Sequence, residues 1–301
     1  MEYLTPSSER PPEGNSRSDS SHPMPKTAYA NPAADAADAA PALKSTSPAV
    51  VRAVQVMDAV AAAPEPLTLA DLTRLTGAPK SSLHGMCDTL VQLQLLKRLP
   101  GGAMALGPHV MSWANAFLSQ TQITEEFRAL WDETDAFHDA TVTLSMLDGA
   151  EVVYLACQNG DRPLGVTFRI GMRLPAPYTA TGKAMLSTVP AAEVRHLFDG
   201  GMPVPLTRAS VATVAALVDE LEQVRALGYS IDNGQMRDGM TCFGAPVFDA
   251  TRSRAVGAIA VSYLTSEIDA PTGEQIGGQV RALADQLSAR LGAVRMSRAV
   301  G

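Results

Sequence analysis

Three amphipathic helical segments and a glycine-punctuated hairpin are packed into about sixty residues after Ser47, and few folds accept that order. Ser47-Pro48 supplies an N-cap followed by proline at the first helical position. Val50, Val51, Val54, Met57 and Val60 then recur at helical spacing, which predicts a helix over 48–63, ended by "PEP". Thr68 stands three residues before Asp71, a variant capping box, and Leu69, Leu72 and Leu75 are expected inward before Gly77 stops a second helix. The third helix starts with Pro79 and carries Leu83, Met86, Leu90 and Leu93 on one face. "LLKRLPGGAMALG" reads as two short strands around Pro100-Gly101-Gly102. This is the pattern of a winged helix-turn-helix, expected over 47–107, with "PHVMSWANAFLSQ" as a linker helix over 108–123.

In such a pair the second helix lays its N-terminal residues against base edges in the major groove. Its polar face here shows Lys80, Ser81, Ser82, His84, Asp88, Thr89 and Gln92. Lys80 suits a phosphate or a guanine, and the two serines are short donors and acceptors for phosphates or close base approach. Lys97 and Arg98 precede the hairpin tip and are expected to reach the flanking backbone. An ordinary solvated helix face would look the same, so spacing alone leaves both readings open. Charge helps little. The protein carries a net −7, and residues 48–110, with five basic and four acidic groups, are the only segment that is not acidic.

Residues 1–46 are dominated by Pro, Ser, Ala, Asp and Asn and are expected to be a disordered tail. From 124 to 295 a second domain is expected. It opens with a helix over 124–140 and continues with strand-like runs "TVTLSML", "EVVYLAC", "GVTFRI", "APVFD" and "VGAIAVSYL". Helices intervene at "TGKAMLSTV", "AAEVRHLF" and "VAALVDELEQVRALG", and "GEQIGGQVRALADQLSARL" closes it. The expectation is an α+β fold with a mostly antiparallel sheet.

"PYTATGKAML" is the most informative part of that domain. Thr179 or Thr181 can cap a helix whose first N–H groups belong to Thr181, Gly182 and Lys183, a place an anion can approach. A tight strand-to-helix turn with a surface lysine is the competing reading. It is not a P-loop, since Pro177 and Ala184 stand where glycine and a hydroxyl are needed.

Other functions find little support. No run of about eighteen apolar residues is present to span a membrane, and the N-terminus lacks the apolar core of a secretion signal. Cys87, Cys157 and Cys242 are far apart, without zinc or disulfide spacing. No metal or cofactor motif is present, and a cytoplasmic protein is expected. Cys242 with Asp232 is a conceivable nucleophile–acid pair for a small hydrolase or transferase, but no histidine is near in sequence, and a buried structural thiol is the alternative. A further alternative is a module that binds an effector and a protein partner, with DNA binding lost.

The chain resembles the IclR family of bacterial transcriptional regulators. The resemblance rests on "SPAVVRAVQVMDAV", "PLTLADLTRLTGAPKSSLHGMCDTLVQL" and "ALGPHVMSWANAFL", and on "GMRLPAPYTATGKAMLS", "ALGYSIDNGQMRDGMTCFGAPVFD" and "AVGAIAVSYL", covering 47–291. It implies a winged-helix DNA reader, a linker helix and a GAF-like effector-binding domain, acting as a homodimer or homotetramer on double-stranded promoter DNA near catabolic or stress genes. It makes Lys80, Ser81, Ser82 and His84 the groove-facing candidates, and Arg52 a support or phosphate contact or a plain solvated residue. It places a carboxylate-type effector near Ala180, Thr181 and Gly182, with Asp232, Met240, Cys242, Ala260 and Ser262 around it and Val166 and Leu174 as an apolar wall. Tyr154, Tyr178, Arg162, Arg169 and Arg173 are secondary candidates for the same pocket. A small organic acid, aromatic ones included, suits such a pocket better than a sugar or nucleotide. Two departures stand out: Gly85, where the family pattern places arginine, and Gln94, where it usually places glycine.

Overall fold

The computed structural model describes residues 47–293, except 121, 135, 138, 139, 161–163 and 165. The expected tail, Arg162 and the last two residues of the expected second domain lie outside these described residues.

The N-terminal unit is built from α1 (Pro48–Ala62), α2 (Leu69–Thr76), α3 (Lys80–Gln92) and a hairpin of β1 (Leu96–Arg98) with β2 (Met104–Leu106). Thr68 closes the capping box with Asp71, and Gly77 ends α2 in the left-handed conformation at φ 65°. One core gathers Val56, Val60, Leu72, Leu83, Cys87, Leu90, Leu96 and Met104. The inward stripe of α1 therefore runs through Ala53, Val56, Met57 and Val60, and Val50 and Val54, expected inward, are exposed. Leu75 and Leu93 are also exposed, against expectation. Each of these short helices meets the core along a single narrow face, so apolar residues at its margins stay in solvent.

Next come α4 (His109–Gln120) and α5 (Gln122–Glu133). The helix expected to run to 140 stops at Glu133, beyond which Phe137 turns into a positive φ of 65° with its carbonyl accepting from the Ala140 N–H. A six-stranded antiparallel sheet follows, formed by β3 (Thr141–Asp148), β4 (Glu151–Gln158), β5 (Arg173–Pro175), β6 (Ser230–Asn233), β7 (Met240–Phe248) and β8 (Ala255–Leu264). Its order is β5-β4-β3-β8-β7-β6. "GVTFRI", expected as a strand, is irregular where it is described, and turns Phe168 inward onto Tyr154. The short edge strands β5 and β6 were not anticipated.

Alternation along the central strands sorts the two faces. Val142, Leu144, Phe243, Ala245, Ile259 and Val261 pack under α5 and α9 (Ala270–Arg290). The opposite face, with Cys242, Ala258 and Ala260, is covered by α6 (Ala180–Leu186), α7 (Ala191–Leu197) and α8 (Val214–Leu227). Small residues let α6 sit close to this sheet: a Cβ on Gly244 would lie 2.7 Å from the Ala180 carbonyl. The fold is α+β, with a helix-turn-helix unit ahead of a curled antiparallel sheet.

Candidate functional site

On the N-terminal unit, α3 leaves Lys80, Ser81, Ser82, His84 and Thr89 exposed, because Leu83, Cys87 and Leu90 take its other side into the core. Arg52 of α1 donates to Ser82 Oγ at 3.4 Å, so it leans on the start of α3. Arg98, expected to reach the flanking backbone, is paired within the protein. Its guanidinium, still exposed, meets α3, with Nη2 2.5 Å from Asp88 Oδ1. His84 Nδ1 lies 2.9 Å from the other oxygen of the same carboxylate. Thr89 Oγ1 donates back to the Gly85 carbonyl at 2.9 Å. Lys80 and Lys97 stand exposed at the two ends of this surface. A side chain at Gly85 would meet nothing within 4 Å, so the surface is open there.

In the second unit, the covered face of the sheet and α6 enclose a cavity of about 10 Å³ lined by Thr143, Tyr154, Phe168, Thr179, Ala180, Thr181, Asp232, Met236, Cys242, Ala260 and Ser262. That volume holds about one water molecule, so a larger occupant has to part its walls. Six of the expected residues meet here: Ala180, Thr181, Asp232, Cys242, Ala260 and Ser262. Register brings the last three together. Cys242 pairs with both Asp232 and Ser262, and Gly244 pairs with Ala260. Cys242 Sγ lies 3.1 Å from Ser262 Oγ.

Four expected residues are elsewhere. Gly182 faces away, with Ala176 so close that a Cβ would lie 2.1 Å from its carbonyl oxygen. Its glycine serves helix packing, not the approach of an anion. Leu174 and Met240 are buried within the core, and Val166 packs at the core's edge. Thr179 is the cap: its Oγ1 accepts from the Gly182 N–H at 3.0 Å. α6 has only seven residues, and one of its first N–H groups is already satisfied, which leaves little of the anion site expected from its N-terminus. The loop arginines do not line the cavity. Arg173 is paired with Glu151 and Asp148, each at 2.7 Å, and Arg169 is exposed. Tyr178 is buried, with its hydroxyl donating to the Pro203 carbonyl at 2.5 Å.

The polar chemistry of the cavity is that of hydroxyls, one thiol and one carboxyl. Asp232 is only 1% exposed, and its Oδ1 accepts from the Gln235 N–H at 2.7 Å and the Met236 N–H at 3.2 Å. Burial raises its pKa from the ordinary 3.8 to about 6, against the opposing pull of Lys183 and of these N–H groups. Burial likewise pushes the Cys242 thiol and the Tyr154 phenol well above their usual ranges. Cys242 is thus a protonated thiol, poorly suited to be a nucleophile. Among the described residues Thr181 Oγ1 is buried at the wall of the cavity without a hydrogen bond of ordinary geometry, the Tyr154 phenol being its polar neighbour.

Sequence reasoning missed Thr143, Phe168 and Met236 as lining residues, and the competing reading of a surface lysine does not hold for Lys183. That lysine is 1% exposed rather than on the surface, with Nζ 2.9 Å from Glu220 Oε2 and 2.6 Å from the Ile231 carbonyl. A signal for Thr143 was present. Thr141, Thr143 and Ser145 alternate along a strand buried on both faces, and polar residues on a buried face point to an enclosed polar site.

Comparison with known families decides the identity. The family model described as "Bacterial transcriptional regulator IclR C-terminal" matches residues 115–289, and that described as "IclR helix-turn-helix domain" matches 49–100. The chain belongs to the IclR family. It is a transcriptional regulator with an N-terminal DNA-binding helix-turn-helix domain and a C-terminal effector-binding domain. It is 30% identical to the HTH-type transcriptional regulator XynR of Escherichia coli over 221 residues, 73% of this chain and 87% of that one. Among solved IclR-type structures, the repressor BlcR of Agobacterium tumefaciens is 44% identical with a TM-score of 0.56, covering 83% of this chain and 99% of that one. An IclR homologue of Microbacterium hydrocarbonoxydans, complexed with 4-hydroxybenzoate, shares the fold at 19% identity and a TM-score of 0.69, covering 81% of this chain and 98% of that one. No helix among the described residues is long and apolar enough to cross a membrane.

Proposed function

We propose that promoter binding by this protein is controlled by a small organic acid held in the cavity between α6 and the sheet, aromatic carboxylates being the leading class, and that it governs a catabolic operon. The observation that carries the reading is the cavity wall itself. Hydroxyl-bearing Thr143, Tyr154, Thr181 and Ser262 line it together with the Asp232 carboxyl and the Cys242 thiol, and Phe168, Met236 and alanines supply the apolar wall, which suits a compact ligand with one polar end. The complex of the distant homologue with 4-hydroxybenzoate supports the same class. The residues offered to DNA are Lys80, Ser81, Ser82 and Lys97, with His84, Thr89 and Arg98 behind them. Two copies would present two such surfaces to half-sites about one helical turn apart. The exposed Trp113 and Phe117, one turn apart on α4, suit a contact between copies. The ligand acts by favouring one arrangement of the readers, and only to the extent that it binds the two arrangements differently.

The test is a gel-shift titration of the full-length protein on the DNA upstream of its own gene, at low and moderate salt, with 4-hydroxybenzoate, benzoate and succinate added in turn. Retardation that an acid strengthens or relieves supports the reading. Absence of any shift at low salt, or a shift that responds only to a neutral sugar, would sink it.

A further inference from the structure

The inference concerns how a carboxylate is accepted, and it rests on the effector class proposed above. Among the side chains lining the cavity, the one that carries charge near neutral pH is itself an acid, Asp232. The groups facing it come from four elements. Lys183 approaches from α6, Glu220 from α8, Tyr154 from β4 and Cys242 from β7. The phenol and the thiol are neutral. Lys183 is committed, since its ammonium already contacts the Glu220 carboxylate and the Ile231 carbonyl and it does not line the cavity. Gln235 ties the two acids into one network, with its side-chain amide donating to Glu220 at 3.2 Å and its backbone N–H donating to Asp232 at 2.7 Å. One cation is therefore shared by two carboxylates before any ligand arrives.

A carboxylate effector in this cavity adds a third. Two carboxylates sharing a dry site do not both stay ionised; one of them keeps a proton. We infer that the cavity takes a carboxylate effector together with one proton from solvent, carried on Asp232, whose carboxyl then donates a hydrogen bond to the effector's anion. The proton comes from the buffer and no other bond is made or broken. Asp232 is thereby a specificity-determining residue, turning an acidic wall into a donor for anions. Its raised pKa of about 6 means that the protonated form lies within reach at neutral pH. Above that value each unit of pH removes about nine-tenths of the competent form, so the apparent Kd rises about tenfold per unit.

The experiment is isothermal titration of the full-length wild-type protein with 4-hydroxybenzoate, benzoate and succinate, from pH 6.5 to 8, in phosphate and in Tris. The expected result for whichever acid binds is an uptake of about one proton, read from the difference in heat between the buffers, and a Kd about tenfold weaker at pH 8 than at pH 7. Asp232→Asn is expected to bind the same acid with no buffer-dependent heat and a Kd that is flat across the range. Wild-type binding with a flat Kd and no proton uptake overturns the inference and leaves the proposed effector class standing. Proton uptake that persists in Asp232→Asn places the proton elsewhere and overturns the role of Asp232. No binding of any of the three acids removes the effector class and the inference together. Should the variant fail to fold, the two-buffer measurement on the wild type still decides whether a proton is taken up.

Discussion

Arg98 on β1 and Asp88 on α3 meet at 2.5 Å, joining the hairpin to the helix that carries the DNA-reading candidates, and His84 reaches the same carboxylate at 2.9 Å. One acid thus holds the Arg98 cation and the His84 ring on the face proposed to meet phosphates. Asp88→Asn is expected to release Arg98, to tighten binding to any duplex and to steepen the slope of log K against log salt by about 1, since each phosphate neutralised contributes about 0.9. Gel-shift or anisotropy titrations from 50 to 200 mM salt measure this. A weaker complex would mean that the bridge positions the hairpin, and that its ordering outweighs the charge it hides.

Gly85 lies in the exposed middle of α3 with open space where a side chain would go. Gly85→Ala should stabilise the N-terminal unit by about 1 kcal/mol in chemical denaturation, the cost of glycine in a helix interior. Gly85→Arg should in addition tighten DNA binding and raise the salt slope by about one phosphate's worth. No gain in affinity would mean that the position faces away from the duplex.

Gln94 holds a positive φ of 58° between α3 and β1, a region that costs a residue with a Cβ roughly 1–2 kcal/mol. The Gln94 backbone is fully used there, its N–H donating to Val91 and its carbonyl accepting from His109, so the conformation is held by its neighbours. Gln94→Gly is expected to raise stability by about 0.5–1 kcal/mol once the extra freedom of glycine in the unfolded chain is subtracted. Urea denaturation of the two proteins compares them directly.

Asp232 links stability to pH. Its folded-state pKa of about 6 is above the 3.8 of an ordinary aspartate, so the folded protein binds a proton more tightly than the unfolded chain. Stability is then highest below pH 4 with respect to this group and falls as the pH rises to 6, by on the order of 3 kcal/mol in total. Asp232→Asn removes that dependence. Its stability relative to wild type should rise between pH 4.5 and pH 8, as read from paired denaturation curves.

Lys183→Met should destabilise the second unit by about 3 kcal/mol, because it leaves the Ile231 carbonyl without its donor and Glu220 without its cation. The discount from the full cost of a broken buried pair reflects Glu220, whose side chain is 32% exposed. A change below 1 kcal/mol in the midpoint-derived stability would show that water replaces the ammonium.

The helices were largely legible in the sequence because their ends carry local chemistry. The Thr68–Asp71 capping box and the glycines at 77 and 228 act within a few residues of themselves. Gly85 and Gln94 were visible as departures from a pattern, and the backbone angle at Gln94 supplies the reason for the second. Cys242, Ala260 and Ser262 could be placed together through the resemblance, but their spacing alone did not do so. The sequence left a surface Lys183 open as one reading, since a lysine after glycine at a helix start says nothing of a glutamate 37 residues away.

By itself, then, the sequence determined the main helices and, in β3, β4, β7 and β8, the long strands of a mostly antiparallel sheet, because periodicity and capping act over a few residues. Only the tertiary structure decided that Leu75 and Leu93 lie outside, that Arg98 pairs with Asp88, and that Gly182 backs onto Ala176. It also gathered Asp232, Thr143 and Phe168 around one cavity. These outcomes depend on which surfaces meet and which charges lose water together, and those are properties of packing between segments distant in the chain.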